Sequence, residues 1–442
     1  MLNLPGLIVE GMKETDEEQT FTVSVKEEPP DVDCCLLQKL VSNGRKEAFF
    51  TDTPMFGKTV TLRMLRQRYK CQACGKTAYG TIPHMHEDHR ITMRCFDYIC
   101  KNGRRRTWSA LAGELGLDPQ TVSAIWTRWA DAELARVKMA TPRWLGLDEI
   151  HIKGRARAVI TNIEHRALVN MLPNREFDTL HAYFTSAEFD PKQVEVLTID
   201  MWKPYLLLAK KTFPHAKVVV DKFHVIQLVT RAMETVRREE RARLRKLKVP
   251  NNLGNRYMFL RNFDALPPGD RVIDDLDIAL GQHPIVKVAY DLKERFRDVW
   301  KAKSRAEAEA IYDDWAHAAI DSKCALCFAP VIRAVSNWRE EIFNHFDLQL
   351  TNAYTESFNA LARKMNRAGN GYSFEALKKR LVMAHGLGFR KDPQVSYCFP
   401  YPPGPPKDID AVTRRLYPVR ERPVIVFRLS TLARLAGKMP LN

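Results

Sequence analysis

Hydrophobic and polar positions change their period several times along the chain, and each change marks a predicted boundary. Residues 1–30 are polar and acidic, which predicts a flexible lead. Short apolar runs broken by turn residues between about 35 and 80 predict strands and turns. Between 90 and 130 the apolar positions recur at helical spacing, whereas 141–225 returns to strand signals. From 222 to 350 the pattern is almost wholly helical.

Two consecutive helices between residues 107 and 129 have the pattern of a helix-turn-helix. The apolar residues of 107–115 fall on one helix face, and Asp118 and Pro119 supply an N-cap and a first helical residue for the next helix. Such a second helix reads base edges with its first side chains, while nearby cations contact phosphates. A plain helical hairpin would have a similar pattern. The predicted DNA-contacting residues are Arg104, Arg105, Arg106, Gln120, Thr121, Ser123 and Arg128.

The segment 141–225 reads as three hairpin-linked strands followed by alternating helix and strand. This is the element order of an RNase H-like fold, in which the first and fourth strands end side by side. A helical insertion interrupts the fold, and its last helix returns at 352–369. Within the insertion, 231–248 holds eight basic and three acidic residues, which favours phosphate contact over a merely solvated helix face.

Three acids lie where this fold would bring them together: Asp148 in the apolar first strand, Asp200 at the end of the fourth, and Glu356 on the last helix. Burying an unpaired carboxylate costs several kcal/mol, so these acids predict a cation. Carboxylates suit two hard divalent ions about 3.5–4 Å apart, and in phosphoryl chemistry Asp148 would bridge both ions while the other two acids complete one shell each. Asp221 is the rival for the second position, although it also fits as the N-cap of the next helix.

The last helix carries a polar face on which Asn352, Glu356, Asn359 and Arg363 follow one another at spacings of four, three and four. The opposite face is apolar and should pack on the sheet. We therefore predict that Glu356 points into a polar site. The residues expected immediately behind the metal ligands are Asp221, His224, Asn352 and Asn359.

The cysteine pattern predicts one structural zinc ion. Cys71 and Cys74, followed by Gly75, form a knuckle turn, and two such elements make a tetrahedral site. Cys34 and Cys35 are adjacent and lack the usual spacer, so either both bind or one binds beside a histidine. The candidate histidines are His84, His86 and His89. The alternative is a small hairpin with reduced cysteines.

The amino-acid composition indicates what kind of partner the protein binds. The 442 residues are 45% apolar and 28% charged, which is typical of a globular protein of about three domains. The net charge of +16 favours a polyanionic partner. No run of eighteen apolar residues is present, and residues 1–18 carry acids where a signal peptide needs basic and apolar residues, so we expect a cytoplasmic protein without a membrane partner.

Five motifs resemble the ISL3 family of bacterial insertion-sequence transposases, which carry a DDE catalytic triad. They are Trp144-Leu-Gly-Leu-Asp-Glu-Ile, Thr198-Ile-Asp-Met, Val220-Asp-Lys-Phe-His-Val, Thr351-Asn-Ala-Tyr-Thr-Glu-Ser-Phe-Asn and Gly371-Tyr-Ser-Phe. The resemblance runs from about residue 30 to 390 and includes the order of zinc ribbon and helix-turn-helix. It implies Mg²⁺-dependent (or Mn²⁺-dependent) cleavage at terminal inverted repeats and strand transfer into target DNA. The adjacent Cys34 and Cys35 and the tail after 390 depart from the family pattern.

The fold class that we predict is multidomain α+β, with an RNase H-like α/β catalytic domain interrupted by an all-helical insertion. The predicted segments are a lead (1–30), a zinc ribbon (31–88), a helix-turn-helix (89–140), the catalytic core (141–225 and 351–390), the insertion (226–350) and a basic tail (391–442). We expect double-stranded DNA as the partner, a homodimer or higher homo-oligomer on DNA, and association with the bacterial nucleoid. The alternatives are a non-catalytic DNA-binding regulator and a metal-dependent nuclease.

Overall fold

The computed structural model of the chain describes residues 2–30, 35, 39–137, 140–267, 269–369 and 372–389. These residues belong to a mixed α/β structure with two five-stranded sheets. The predicted tail, 391–442, and the predicted ligand Cys34 lie outside the described residues.

The first sheet is built by the N-terminal 80 residues. Its strands are β1 (Leu7–Glu14), β2 (Glu18–Val25), β3 (Leu40–Met55), β4 (Lys58–Cys71) and β5 (Thr77–Tyr79). The order is β1-β2-β4-β3, with β5 also paired to β4, and β2 runs parallel to β4. The prediction of a flexible lead over residues 1–30 was therefore wrong, because alternate residues of β2, including Phe21 and Val23, are buried in the core of this sheet.

Three helices follow: α1 (Met93–Gly103), α2 (Trp108–Leu115) and α3 (Pro119–Arg136). Asp118 accepts a hydrogen bond from the Gln120 amide at 2.7 Å, and Pro119 is the first residue of α3, as predicted. Gly116 ends α2 with a φ of +68°, the left-handed conformation that favours glycine. The three helices share a core around Trp126, which is fully buried.

The second sheet begins with the antiparallel strands β6 (Trp144–Ile152), β7 (Arg155–Asn162) and β8 (Ala167–Leu172). Two strands then run parallel to β6: β9 (Val196–Ile199) and β10 (Lys217–Val220). The helices α4 (Phe177–Phe184) and α5 (Lys203–Thr212) connect them. The order is β10-β9-β6-β7-β8, so the predicted contact of the first and fourth strands of this segment is confirmed.

The rest of the described chain is helical. From 222 to 348 it forms α6 (Lys222–Lys246), α7 (Arg256–Leu260), α8 (Arg271–Gln282), α9 (Pro284–Phe296), α10 (Arg305–Ile320), α11 (Ala325–Asn337) and α12 (Arg339–Leu348). Then α13 (Ala353–Ala368) packs on β6 and β7, and α14 (Phe374–His385) packs on β8 and α3. Among the described helices, none is both long and apolar enough to cross a membrane.

Candidate active site

Asp148 lies in β6, the central strand of the second sheet, and is only 8% exposed. One of its carboxylate oxygens accepts from the Glu149 amide at 2.6 Å, and the other accepts from Asn359 Nδ2 on α13 at 2.7 Å. Burial raises the pKa of Asp148. A carboxylate is thus buried within a mostly apolar strand, and one of its oxygens contacts α13.

Asp200 directly follows β9, and the strand register brings it to Asp148. Leu147 of β6 is paired with Ile199 of β9, so the next residue of each strand carries a carboxylate. Asp200 Oδ2 lies 3.2 Å from His224 Nε2 on α6. Burial, followed by the charge of Asp148, raises the pKa of Asp200 to about 8. The two carboxyl groups therefore resist ionising together, and a cation between them would relieve their repulsion.

Glu356 and Asp221 complete a group of four acids. Burial, followed by the charges of Asp221 and Asp148, raises the pKa of Glu356 to about 7. Asp221 caps α6 by accepting from the Phe223 amide at 2.9 Å, as predicted. Its charge also raises the pKa of Asp148 and of Asp200. The cap uses one carboxylate oxygen, so capping and membership of the acid group are compatible.

Polar side chains on α13 attach this helix to the sheet beside Glu356. Asn352 Oδ1 accepts from Thr198 Oγ1 on β9 at 3.1 Å. The hydroxyl groups of Thr355 and Thr161 are 2.7 Å apart, and both side chains are fully buried. Because such buried bonds are short and directional, they fix the position of the first turn of α13 and therefore of Glu356.

Gly146 allows this close approach of helix and strand. A β-carbon on Gly146 would lie 2.4 Å from Thr161 Oγ1 and 2.6 Å from Thr355 Oγ1, distances that real β-carbons do not show. Gly146 lies two residues before Asp148 and so faces the same side of the sheet. The missing side chain therefore lets Glu356 come within range of Asp148.

The four acids form a donor set that suits hard divalent cations, since they offer only oxygen. Asp200 Oδ1 is buried and has no hydrogen-bond partner in the described part of the chain, and such an acceptor is costly unless a proton or cation meets it. No three of these acids bring their ligand atoms within 4.8 Å of one another. The ligand atoms of this group are thus spread more widely than the coordination shell of one ion. This spread is compatible with two ions about 3.5–4 Å apart.

The residues predicted to read DNA bases lie at the start of α3. Gln120 is exposed, whereas Thr121 and Ser123 are half-buried. Of the four arginines predicted to contact DNA, two form ion pairs: Arg106 with Glu114, and Arg128 Nη1 with Asp88 Oδ2 at 2.7 Å. The other two are the half-buried Arg104 and the exposed Arg105.

Cys35, Cys71 and Cys74 bring their sulfur atoms within 4.8 Å of one another, forming the one such group found among the described residues. The knuckle turn is present: the Gly75 amide donates to Cys71 O at 2.9 Å, and Gly75 has a φ of +73°. The three sulfurs can therefore hold a zinc ion. None of the three candidate histidines belongs to this group; His84 bonds to Pro5 O, and His86 packs on Phe96 and His89.

Sequence reasoning missed several residues that shape the site. Glycine in a central strand signals a close backbone approach, so Gly146 could have been recognised. Thr355 precedes Glu356 directly, but nothing in the sequence marks its bond across the sheet. An ion pair of Arg175 with Glu149 was also missed. The Arg175 guanidinium lies 4.3 Å from the ring centre of Trp202, which follows Asp200 by two residues.

Comparisons with known proteins show the family to which this chain belongs. The model of the ISL3 family of DDE transposases matches residues 145–381, which is more than half of the chain. The transposase for insertion sequence element IS1001 of Bordetella parapertussis is 24% identical over 73% of this chain and 80% of its own length. The transposase for insertion sequence element IS1557 of Mycobacterium tuberculosis is 26% identical over 61% of this chain and 66% of its own length. The matched segment contains all four acids, and the chain belongs to the ISL3 family of insertion-sequence transposases.

Proposed function

We propose that this chain binds the terminal inverted repeats of its insertion sequence and catalyses metal-dependent strand cleavage and strand transfer through Asp148, Asp200 and Glu356. Membership of a transposase family makes DNA the partner. One observation carries the finer proposal: acids from two strands and a distant helix lie close enough to raise one another's pKa values. Burial and mutual repulsion of this kind are typical of acids that hold divalent ions.

Asp148, Asp200 and Glu356 would hold two Mg²⁺ or Mn²⁺ ions. When bound, such ions activate the attacking oxygen and stabilise the leaving oxygen of a phosphoryl transfer. The chain itself positions the ligands, since the Asn359 amide fixes one oxygen of Asp148 and His224 faces Asp200. The raised pKa values mean that ion binding releases protons from the site.

The sheet order and the position of α13 support an RNase H-like catalytic core formed by residues 141–225 and 351–390. We propose that the helical segment 226–350 is an insertion into this core, and that α2 and α3 form a helix-turn-helix whose second helix contacts bases. The cysteine group, Cys35, Cys71 and Cys74, would hold one structural zinc ion. A homodimer or larger homo-oligomer on DNA is part of the same proposal.

The decisive experiment incubates the purified protein with its element ends, a target plasmid and Mg²⁺. We expect both cleaved ends and joined products on a gel. Cleavage without joining would identify a nuclease, whereas binding without cleavage would identify a regulator. Asp148→Asn serves as the catalytic control, because it keeps the side-chain shape and removes a charge.

The helix-turn-helix has its own test in the full-length protein. Gln120→Ala should relax the preference for the inverted repeat by about 1–3 kcal/mol per base pair read. Arg105→Ala should weaken binding to all duplexes about equally. If both variants changed only nonspecific binding, α3 would not be the recognition helix.

A further inference from the structure

Charge is unevenly distributed along the long helix α6 and the segment after it. From 222 to 240, four basic residues are accompanied by three acids. From 241 to 263, by contrast, seven basic residues occur without any acid. The end of α6, the following loop and the start of α7 therefore form a segment of one sign.

The structure separates cations that support the fold from cations that face solvent. Arg237 is 3% exposed and pairs with Glu234, and Arg243 pairs with Glu240 at 2.7 Å. Another group has no acid within 4 Å in the described part of the chain. Its members are Arg238, Arg241, Arg245, Lys246, Lys248 and Arg256. We call the surface formed by these six residues and Tyr257 the basic shoulder.

The loop between α6 and α7 is packed back against α6. Leu253 is fully buried, and its carbonyl accepts from the Arg237 guanidinium. Asn252 Oδ1 lies 3.0 Å from His283 Nε2 on the neighbouring helical segment. A β-carbon built on Gly254 would lie 3.7 Å from Arg241 Nη2, so that guanidinium lies beside the loop. Helix end and loop thus form one continuous, fixed surface.

The shoulder has the shape and chemistry of a phosphate-binding surface. Arg238, Arg241 and Arg245 are spaced by three and four residues, which places them in one stripe along α6. At about 1.5 Å per residue this stripe spans about 10 Å, a length of duplex axis over which each DNA strand presents about three phosphates at about 3.4 Å of rise per phosphate. Tyr257 is 66% exposed, and its ring centre lies 5.1 Å from the Arg256 guanidinium carbon. Its hydroxyl can donate a hydrogen bond to a phosphate.

We infer that the basic shoulder is a second DNA-contacting surface, separate from the helix-turn-helix, and that it binds the phosphodiester backbone of a DNA duplex. This inference rests on the proposed function, since it needs DNA as substrate. It assigns the shoulder to sequence-independent binding, because the cations can reach phosphates without entering a groove.

The test replaces Arg238, Arg245 and Lys246 by alanine in the full-length protein. These side chains have no acid partner, so their loss should leave the fold intact. A matched control removes three other exposed cations of the helical segment, Lys303, Lys323 and Arg333. Binding is measured over a NaCl series on a duplex carrying the terminal repeat and on a random duplex.

We expect the shoulder variant to lose affinity for both duplexes by similar factors. The slope of log K against log[NaCl] should fall by about 2–3, since each phosphate contact contributes about 0.9. The control variant should keep the wild-type slope. An unchanged slope in the shoulder variant would overturn the inference.

A measurement on the wild-type protein removes any dependence on folding of the variant. Lysine acetylation with and without duplex is followed by mass spectrometry. Lys246 and Lys248 should become protected by the duplex, while Lys303 and Lys323 stay reactive. Equal reactivity of all four lysines, or protection by single-stranded DNA alone, would refute a duplex site on the shoulder.

The result also separates this inference from the proposed function. A wild-type protein that binds no duplex would refute both. A wild-type protein that binds and cuts element ends, with an unchanged salt slope in the shoulder variant and no lysine protection, would refute the shoulder alone.

Discussion

The acid group and the cysteine group are both candidate metal sites, but they are built in opposite ways. The three cysteines are confined within 4.8 Å, and two of them belong to one knuckle turn. The acids come from β6, from the ends of β9 and β10, and from α13, and they are spread more widely. A compact sulfur site is typical of structural zinc, whereas a wide oxygen site leaves room for a substrate. The compact site depends on a local turn, and the wide site depends on the topology of the whole fold.

The largest effect should follow from removing a charge at the centre of the acid group. Asp148→Asn, Asp200→Asn and Glu356→Gln should each abolish strand cleavage, because each keeps its shape but loses a metal ligand. End binding through the helix-turn-helix should survive, as measured by gel shift. Normal cleavage by any of the three variants would remove that residue from the catalytic group.

Asp221→Asn sharpens the assignment of the second ligand. If Asp221 serves mainly as the cap of α6, this variant should retain measurable cleavage, since asparagine is also a good N-cap. Should Asp200→Asn cut normally while Asp221→Asn is inactive, the second ligand belongs at the end of β10. This alternative is supported by the charge of Asp221, which raises the pKa of Glu356.

A substitution in the cysteine group should lower the stability of the protein and should not change the chemistry of strand cleavage. Cys71→Ser should lose the bound zinc and lower the unfolding temperature, because structural zinc contributes directly to folding free energy. Cys327→Ser is the control, since Cys327 is half-buried and lies outside the group. Zinc content by mass spectrometry and a thermal melt would decide. Wild-type protein purified without chelator and containing no zinc would refute the site.

The same contrast explains how much could be predicted from the sequence. The knuckle turn and the Asp118 cap are local, so residue type and spacing were enough. The meeting of Asp148 and Asp200 followed from the predicted order of strands, which is a general rule of topology. The pairing of β2 with β4 was missed, because a parallel contact between distant segments leaves no local pattern and the acids around Phe21 masked its alternation.

Gly146→Ala should have an intermediate effect on the acid group alone. The added β-carbon would collide with the hydroxyl groups of Thr161 and Thr355, and overpacking of this kind costs about 1–3 kcal/mol. Because α13 must move, cleavage should fall although no acid has changed. Gly11→Ala is the control, since a β-carbon there has nothing within 4 Å. Equal melting temperatures and cleavage rates of both variants would show that α13 tolerates the displacement.

The last prediction is a dependence of stability on pH to which the acid group should contribute. Asp200 and Glu356 have pKa values raised to about 8 and about 7, from ordinary values of 3.8 and 4.5. The folded state therefore binds more protons than the unfolded chain between about pH 4 and 8, so the contribution of these acids to stability is present at low pH and lost as pH rises. Without Mg²⁺, the melting temperature of Asp200→Asn should rise relative to that of the wild type as the pH increases from 5 to 8. Adding Mg²⁺ at pH 8 should restore the wild type, because the ion replaces the lost protons. A difference that stays constant across this range would mean that Asp200 ionises normally in the folded protein.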